Sequence, residues 1–533
     1  MRQFETCEFA FQGPAPAPDA GWAQADVRAT FTSGETRVDV KGFYAGAGAG
    51  GAEAGNATYK VRFLPRTVGE WRYVVSGVVS GEGAFTVEPH EEGRHGLVVV
   101  DGLHFRFEDG AKYLPFGTTV YALAHQDEEL TARTLASLAA SPFNKVRMCV
   151  FPKHYHYNHN EPPFYAFEKT ADGKWDATRP CLAFWDRFER ILGQLADLRI
   201  QVDLILFHPY DRWGFADLGH GNDLIYLDHL LRRFAAMPGL WWSLANEYDL
   251  VASKSLEDWY GIEAFVAAND PYRHLLSNHN CFQNWDFARP AVTHVSYQSK
   301  MLTRVARWRE EFAKPVVVDE CCYEGSVPEG WGNLSGREMT ARFWRVVSRG
   351  GYCTHGEAFY AGEEGIVWWA RGGSLVGGSP ARIAFLKEIA YGLPGPVEPA
   401  ESRTDKMLKT AETARRLGVE KTIETMKLPP MFAGFARGLL ALEPSDLVAF
   451  LSCEAEFMGH CGDEAFLQYF DLECKAYHEM DLPAGRTYRV EVLDTWEMTR
   501  TVVLEHASGK VSIPLPGKEG MAVLAVAVDA KGG

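Results

Sequence analysis

Two stretches of the chain hold the side chains with the clearest chemical use. Gly239 to Leu250 reads Gly-Leu-Trp-Trp-Ser-Leu-Ala-Asn-Glu-Tyr-Asp-Leu, an apolar run that ends abruptly in Asn246-Glu247. Pro315-Val316-Val317-Val318-Asp319-Glu320 has the same form. An ionised carboxylate buried without partners costs several kcal/mol, so packing alone seldom puts one at the end of a buried strand. In a parallel barrel the carboxyl ends of the strands are where catalytic groups sit. Two such carboxylates are the minimum for cleaving a glycosidic bond. They stand roughly 5–5.5 Å apart when configuration is retained and about 6.5–9.5 Å apart when it is inverted.

Such a pair needs a scaffold that brings distant segments to one rim. From Gly96 onward the pattern alternates strand and helix. Strands are expected over Lys112–Thr119, Phe143–Phe151, Gln201–His208, Gly239–Ala245, His274–Asn280, Val292–Gln298, Val316–Glu320 and Gly351–Glu357. Phe184, Phe188, Ile191, Leu192, Leu195 and Leu198 recur at helical period, and Asp127 is placed to cap a helix carrying Leu130, Leu135 and Leu138. Helices are also expected over Leu224–Ala236 and Ala381–Ala390. Eight alternations in roughly 300 residues predict an α/β fold, a (β/α)₈ TIM barrel, over residues 90–395.

Residues 1–89 read as an N-terminal immunoglobulin-like β-sandwich of short alternating strands, with an Ala/Gly-rich loop from Ala45 to Gly55. Past the Pro/Gly-rich boundary at Gly392-Leu393-Pro394-Gly395-Pro396, residues 396–533 read as a C-terminal β-domain. A short helix is expected over Thr404–Leu417, and strands over Leu447–Leu451, Tyr488–Leu493 and Ala522–Val528.

The bulk numbers narrow the function classes. A 533-residue chain is expected to hold two or three domains, and its 46% hydrophobic content is that of a globular protein. Net charge −16 argues against a nucleic-acid partner, which calls for a basic footprint. No apolar run approaches the roughly 20 residues of a membrane span, and the N-terminus lacks a signal-peptide core. The 10 Cys are scattered without CxxC spacing, which points to a reducing cytoplasm. No Gly-x-Ser-x-Gly elbow and no Gly-x-Gly-x-x-Gly turn is present, so neither a serine hydrolase nor a nucleotide cofactor is expected.

With Asn246-Glu247 on strand four and Asp319-Glu320 on strand seven, the chain resembles the large clan of retaining glycoside hydrolases. It is more similar still to the apiosidase-like and related bacterial families that join an N-terminal β-sandwich, this barrel and a C-terminal β-domain. Trp241-Trp242-Ser243-Leu244-Ala245-Asn246-Glu247-Tyr248-Asp249 and Gly117-Thr118-Thr119-Val120-Tyr121 carry that likeness, which covers essentially the whole chain.

The resemblance implies Glu320 as nucleophile and Glu247 as acid/base, acting on a small carbohydrate without metal or cofactor. It implies Arg147 beside the nucleophile, Asn246 at the sugar 2-hydroxyl, and His208 and Tyr297 in support, with Tyr297 aimed at Glu320. The clan's tryptophan at the end of strand eight is missing. His355-Gly356-Glu357 stands there, and Trp368-Trp369 follows only after a loop. Glu357 is therefore expected near the mouth, binding sugar hydroxyls or competing for a catalytic role.

Rim candidates include His125, His279 and Asn280, together with His154 and His156 in the His154–His159 loop. Two other readings stay open. One is a non-catalytic carbohydrate-binding protein on an inactive barrel; the other is a metal-dependent hydrolase or isomerase using His154 and His156. The flanking β-domains could narrow the barrel mouth or build a homo-oligomer.

Overall fold

The computed structural model describes residues 1–47, 56–360, 367–427, 429–452 and 456–528. Its centre is a sheet of eight parallel strands. Strands one to eight are Phe116–Thr119, Lys145–Cys149, Gln201–Phe207, Leu240–Ala245, Leu276–Ser277, Val295–Gln298, Val316–Glu320 and Tyr352–His355. Their spatial order is five-four-three-two-one-eight-seven-six. A single parallel bridge, His279 to Ser296, links strands five and six and brings the sheet round to a nearly closed barrel.

These strands form where apolar runs can be covered on both faces, so every residue of strands two, three, four and seven is buried. Strand one is shorter than expected because Pro115 has no N–H for the ladder. Strand five shrinks to two residues, since His274 is drawn off to hydrogen-bond Asp270 at 2.9 Å. The helices Glu128–Ala139 and Leu182–Asp197 follow strands one and two. Asp127 caps the first through Leu130 N at 2.7 Å, and Phe184, Phe188, Ile191, Leu192 and Leu195 form the buried stripe of the second.

Two compact units divide the chain. The first contains Met1–Ser299, Phe312–Ser335 and Cys353–Pro380, and so holds the barrel strands, but for the first residue of strand eight, with the N-terminal sheets. The N-terminal sheets have three and four antiparallel strands, in the orders Cys7–Pro14, Asn56–Phe63, Phe43–Ala47 and Thr36–Lys41, Val27–Ser33, Gly69–Gly77, Gly81–Val87. Strand Phe43–Ala47 takes up the start of the expected Ala45–Gly55 loop, and residues 48–55 lie outside the described ones.

The second unit contains Lys300–Glu311, Gly336–Tyr352 and Ala381–Gly533. A six-stranded sheet and a two-stranded sheet make its β-rich part. One expectation fails here. Leu447–Leu451 is not a strand but lies within the helix Pro444–Ser452, the last of four helices that begin at Arg403. Leu447 and Leu451, four residues apart, are both buried, and a short apolar run fits either period. Among the described residues no helix is long and apolar enough to cross a membrane.

Candidate active site

The barrel interior, beneath the carboxyl ends of its strands, is built on buried charge. Lys145 on strand two places Nζ 2.9 Å from Asp203 and 2.6 Å from Asp319, and Arg147, two residues on, places Nε 3.5 Å from Asp203. Ser296 Oγ and Thr354 Oγ1 donate to Asp319 at 2.6 and 2.8 Å. Burial alone would raise Asp319, but the ammonium of Lys145 and the guanidinium of Arg147 hold it well below the usual carboxylate range. This core fixes the base on which the next residues of strands four and seven stand.

Glu320 ends strand seven. Its Oε1 accepts the Tyr121 hydroxyl and lies 3.5 Å from Arg147 Nη1. Glu247 follows strand four in a left-handed conformation, φ 52°, which a non-glycine residue adopts rarely and at a cost. Among the side chains that serve its carboxylate are Tyr210 Oη at 2.5 Å, Asn246 Nδ2 at 3.1 Å and Gln298 Nε2 at 3.1 Å. Asn246 Oδ1 in turn lies 2.9 Å from the Tyr121 hydroxyl and 3.4 Å from Arg147 Nη2. The Tyr121 hydroxyl, with one proton to give, thus stands between two acceptors, Glu320 Oε1 and Asn246 Oδ1, while Asn246 Nδ2 donates to Glu247. Burial pushes Glu320 upward and the charge of Glu247 adds to it; Arg147 and the Tyr121 hydroxyl oppose.

The remaining expected residues fall in several places. His279 faces the backbone of Glu247, whose N–H lies 3.4 Å from its Nδ1, and Asn280 Oδ1 accepts from Gln298 N at 3.1 Å. His208 and His125 hydrogen-bond the carbonyls of Phe151 and Cys149, and burial holds them neutral, lowered to about 3 and about 4. Tyr297 is not the tyrosine at Glu320. Its ring packs edge-on against Phe287, while its neighbours Ser296 and Gln298 reach Asp319 and Glu247, as strand alternation requires.

Glu357 is also misplaced by the expectation. Thr354 points at Asp319, and Glu357 pairs with Glu324 and accepts the backbone N–H groups of Val376 and Gly377 at 2.7 and 3.0 Å. Gly378 and Ser379 N–H groups serve Glu324 at 2.7 and 3.0 Å, where the helix Ser379–Gly392 starts. Trp368 donates to Thr118 Oγ1 at 3.0 Å and is buried there. In the His-rich loop His154 meets His159 at 3.5 Å and His156 is exposed. Among the described residues the triplet with converging ligand atoms is Glu324, His355 and Glu357, not the His154–His159 loop.

Comparison with known proteins supplies the family. The model of the apiosidase-like catalytic domain matches residues 101–377. The chain belongs to the apiosidase-like family of glycoside hydrolases. Two domains of unknown function match its ends, DUF5060 over residues 1–77 and DUF5605 over 455–525. A crystal structure of a candidate glycoside hydrolase from Bacteroides vulgatus ATCC 8482 is 31% identical, with TM-score 0.82 over 99% of both chains. A family 5 glycoside hydrolase from the same organism is 14% identical, with TM-score 0.57 over 83% of this chain and 95% of its own. A structure described as a glycoside hydrolase is 13% identical at TM-score 0.57, over 84% and 100%. No curated protein matches.

The apiosidase-like barrel also uses residues that sequence reasoning passed over. Tyr121 and Tyr210 hold the two carboxylates. Tyr323 packs against Gly356, where a Cβ would meet its ring at 1.9 Å, and it interacts electrostatically with Glu320. Lys153 lies buried with Nζ 3.5 Å from the Tyr121 ring centroid and 4.2 Å from that of Tyr210. Trp369, reached after the loop, meets Tyr121, Tyr155, Tyr157 and Tyr323. It supplies an aromatic wall although strand eight carries no tryptophan. Tyr121 stood in a stretch already singled out, and Tyr210 closes Phe207-His208-Pro209-Tyr210 after strand three. Lys153 and Tyr323 had no spacing to mark them.

Proposed function

We propose that this protein is a retaining glycoside hydrolase, exo-acting on short glycosides or oligosaccharides, with Glu320 as nucleophile and Glu247 as acid/base. The observation that supports it most is the placement of Glu320 and Glu247 at the ends of strands seven and four, with Tyr121 and Asn246 set between them. Glu320 Oε attacks the anomeric carbon as the bond to the leaving oxygen breaks, and the Glu247 proton goes to that oxygen. Water then takes the place of the aglycone, loses its proton to Glu247, and displaces Glu320 from the sugar. Arg147 and the Tyr121 hydroxyl favour the ionised form of Glu320. Asn246 is the side chain we assign to the sugar 2-hydroxyl. The plan of three domains, 1–89, 90–395 and 396–533, belongs to this proposal, as does a cytoplasmic location, which the free thiols support.

Replacing Glu320 with alanine tests the assignment. On an aryl glycoside that the wild type cleaves, turnover falls by about 10⁵-fold or more, in the range lost when a nucleophile is removed. Added azide restores part of it, giving a glycosyl azide of inverted configuration by NMR. Unchanged turnover in Glu320→Ala removes Glu320 from the mechanism.

A further inference from the structure

The mechanism above leaves one buried cation without a task. Lys153 is 4% exposed. Among the described residues its ammonium makes no hydrogen bond and no ion pair, although three N–H donors leave it. What surrounds it is aromatic: Tyr121 and Tyr210 at 3.5 and 4.2 Å, Tyr155 at 5.4 Å and Trp369 at 5.9 Å. Ring faces attract a cation but accept no ordinary hydrogen bond, so the donors stay unanswered. The two nearest rings are those whose hydroxyls hold Glu320 and Glu247. Burial pushes Lys153 down from the usual lysine range and Arg147 adds to it, while Cys149, Glu247 and Glu320 oppose and favour the ammonium. A donor so placed has its acceptor in the ligand.

We propose that Lys153 is the glycone-binding residue of this site, donating to hydroxyls of a neutral sugar ring that lies against Trp369 and Tyr155. The inference rests on the proposed hydrolase reading. The charges on the page decide for a neutral glycone over an acidic one. Lys145, Arg147 and Lys153 face Asp203, Asp319, Glu320 and Glu247. With the acid/base proton on Glu247, three cations meet three anions. A uronic acid would add a buried negative charge with no cation left for it, and unpaired buried charge is strongly unfavourable. Hydroxyl groups satisfy the ammonium and leave the balance intact.

Matched pairs of 4-nitrophenyl glycosides and their uronides, with monodeoxy analogues of the best substrate, test this. Wild type should cleave the neutral member at least about 100-fold better. Lys153→Met should lower kcat/KM about 10- to 100-fold, the worth of hydrogen bonds to a charged group. One monodeoxy analogue should cost wild type a similar factor and cost Lys153→Met nothing further, because the pair has already been broken. Losses that multiply, or a uronide preferred by wild type, overturn the proposal. Should Lys153→Met not fold, Lys153→Arg, which keeps charge but not the compact ammonium, carries the same comparison.

Calorimetry on Glu320→Gln, with and without Lys153→Met, reads binding alone. Sugar that binds through Lys153 but is not hydrolysed by wild type sinks the hydrolase reading and keeps this one. No binding and no hydrolysis across the panel sinks both.

Discussion

Glu247 and Glu357 both follow barrel strands and both are almost fully buried, at 6% and 1% exposure. Burial therefore does not separate them; their donors do. Glu247 is held by side chains, among them Tyr210, Asn246 and Gln298, from different parts of the chain. Glu357 is held by consecutive backbone N–H groups, with Glu324 clasped the same way beside it. Side-chain donors can rotate, exchange partners with a substrate and follow a change of protonation. A backbone clasp is rigid and answers only to the fold. The left-handed backbone at Glu247, set against the extended pairing of Glu357 with Glu324, repeats the contrast.

The contrast breaks if the two carboxylates respond alike to removal of charge. Glu247→Gln should lower kcat on a poor leaving group by about 10²- to 10⁴-fold, the usual range for a general acid. The loss should shrink with a 4-nitrophenolate leaving group, which needs no proton. Glu357→Gln should keep kcat within about threefold. Steady-state kinetics on paired substrates checks both, and a large kcat loss in Glu357→Gln would return that residue to the mouth.

A smaller effect sharpens the other half of the pair. The Tyr121 hydroxyl lowers the pKa of Glu320, so Tyr121→Phe should raise it. The nucleophile acts ionised, hence the acidic limb of kcat/KM should move to higher pH. At the optimum the loss should be about 10- to 100-fold, that of one hydrogen bond to a charged group. A pH–rate profile with an unmoved acidic limb would make Tyr121 a packing residue.

The same contrast explains what was legible in the chain. Glu247 and Glu320 stood out because each ends an apolar run with a charge, and burial makes that costly unless partners exist. The barrel was readable for a related reason: runs covered on both faces alternate with helical stripes. Glu357 stood at an equally plausible strand end, but strand phase decides its direction, and phase shows only when Thr354 is seen to meet Asp319. Tyr297 failed by the same one-residue parity. Lys153, Tyr210 and Tyr323 come from loops, where neither period nor cap marks a residue. Leu447–Leu451 was ambiguous by length alone.

The mildest prediction concerns stability rather than rate. Burial, with the charge of Glu324 adding, pushes Glu357 up to about 7, against an ordinary value of 4.5, while the Val376 and Gly377 N–H groups oppose. A carboxyl raised in the folded state binds its proton more tightly there than in the unfolded chain. Its contribution is thus fully present below pH 4.5 and is lost as pH rises through about 7. The loss amounts to about 3 kcal/mol over that window, at roughly 1.4 kcal/mol for each pKa unit. Glu357→Gln keeps the carbonyl acceptor and cannot ionise, so its melting temperature should fall less than that of wild type between pH 5 and 7.5. Reading the difference between two curves cancels every other titrating group the two proteins share. Parallel curves would mean that Glu357 is already ionised at pH 5, its charge fully met by the backbone clasp. The rigid half of the comparison would then stand without any cost in burial.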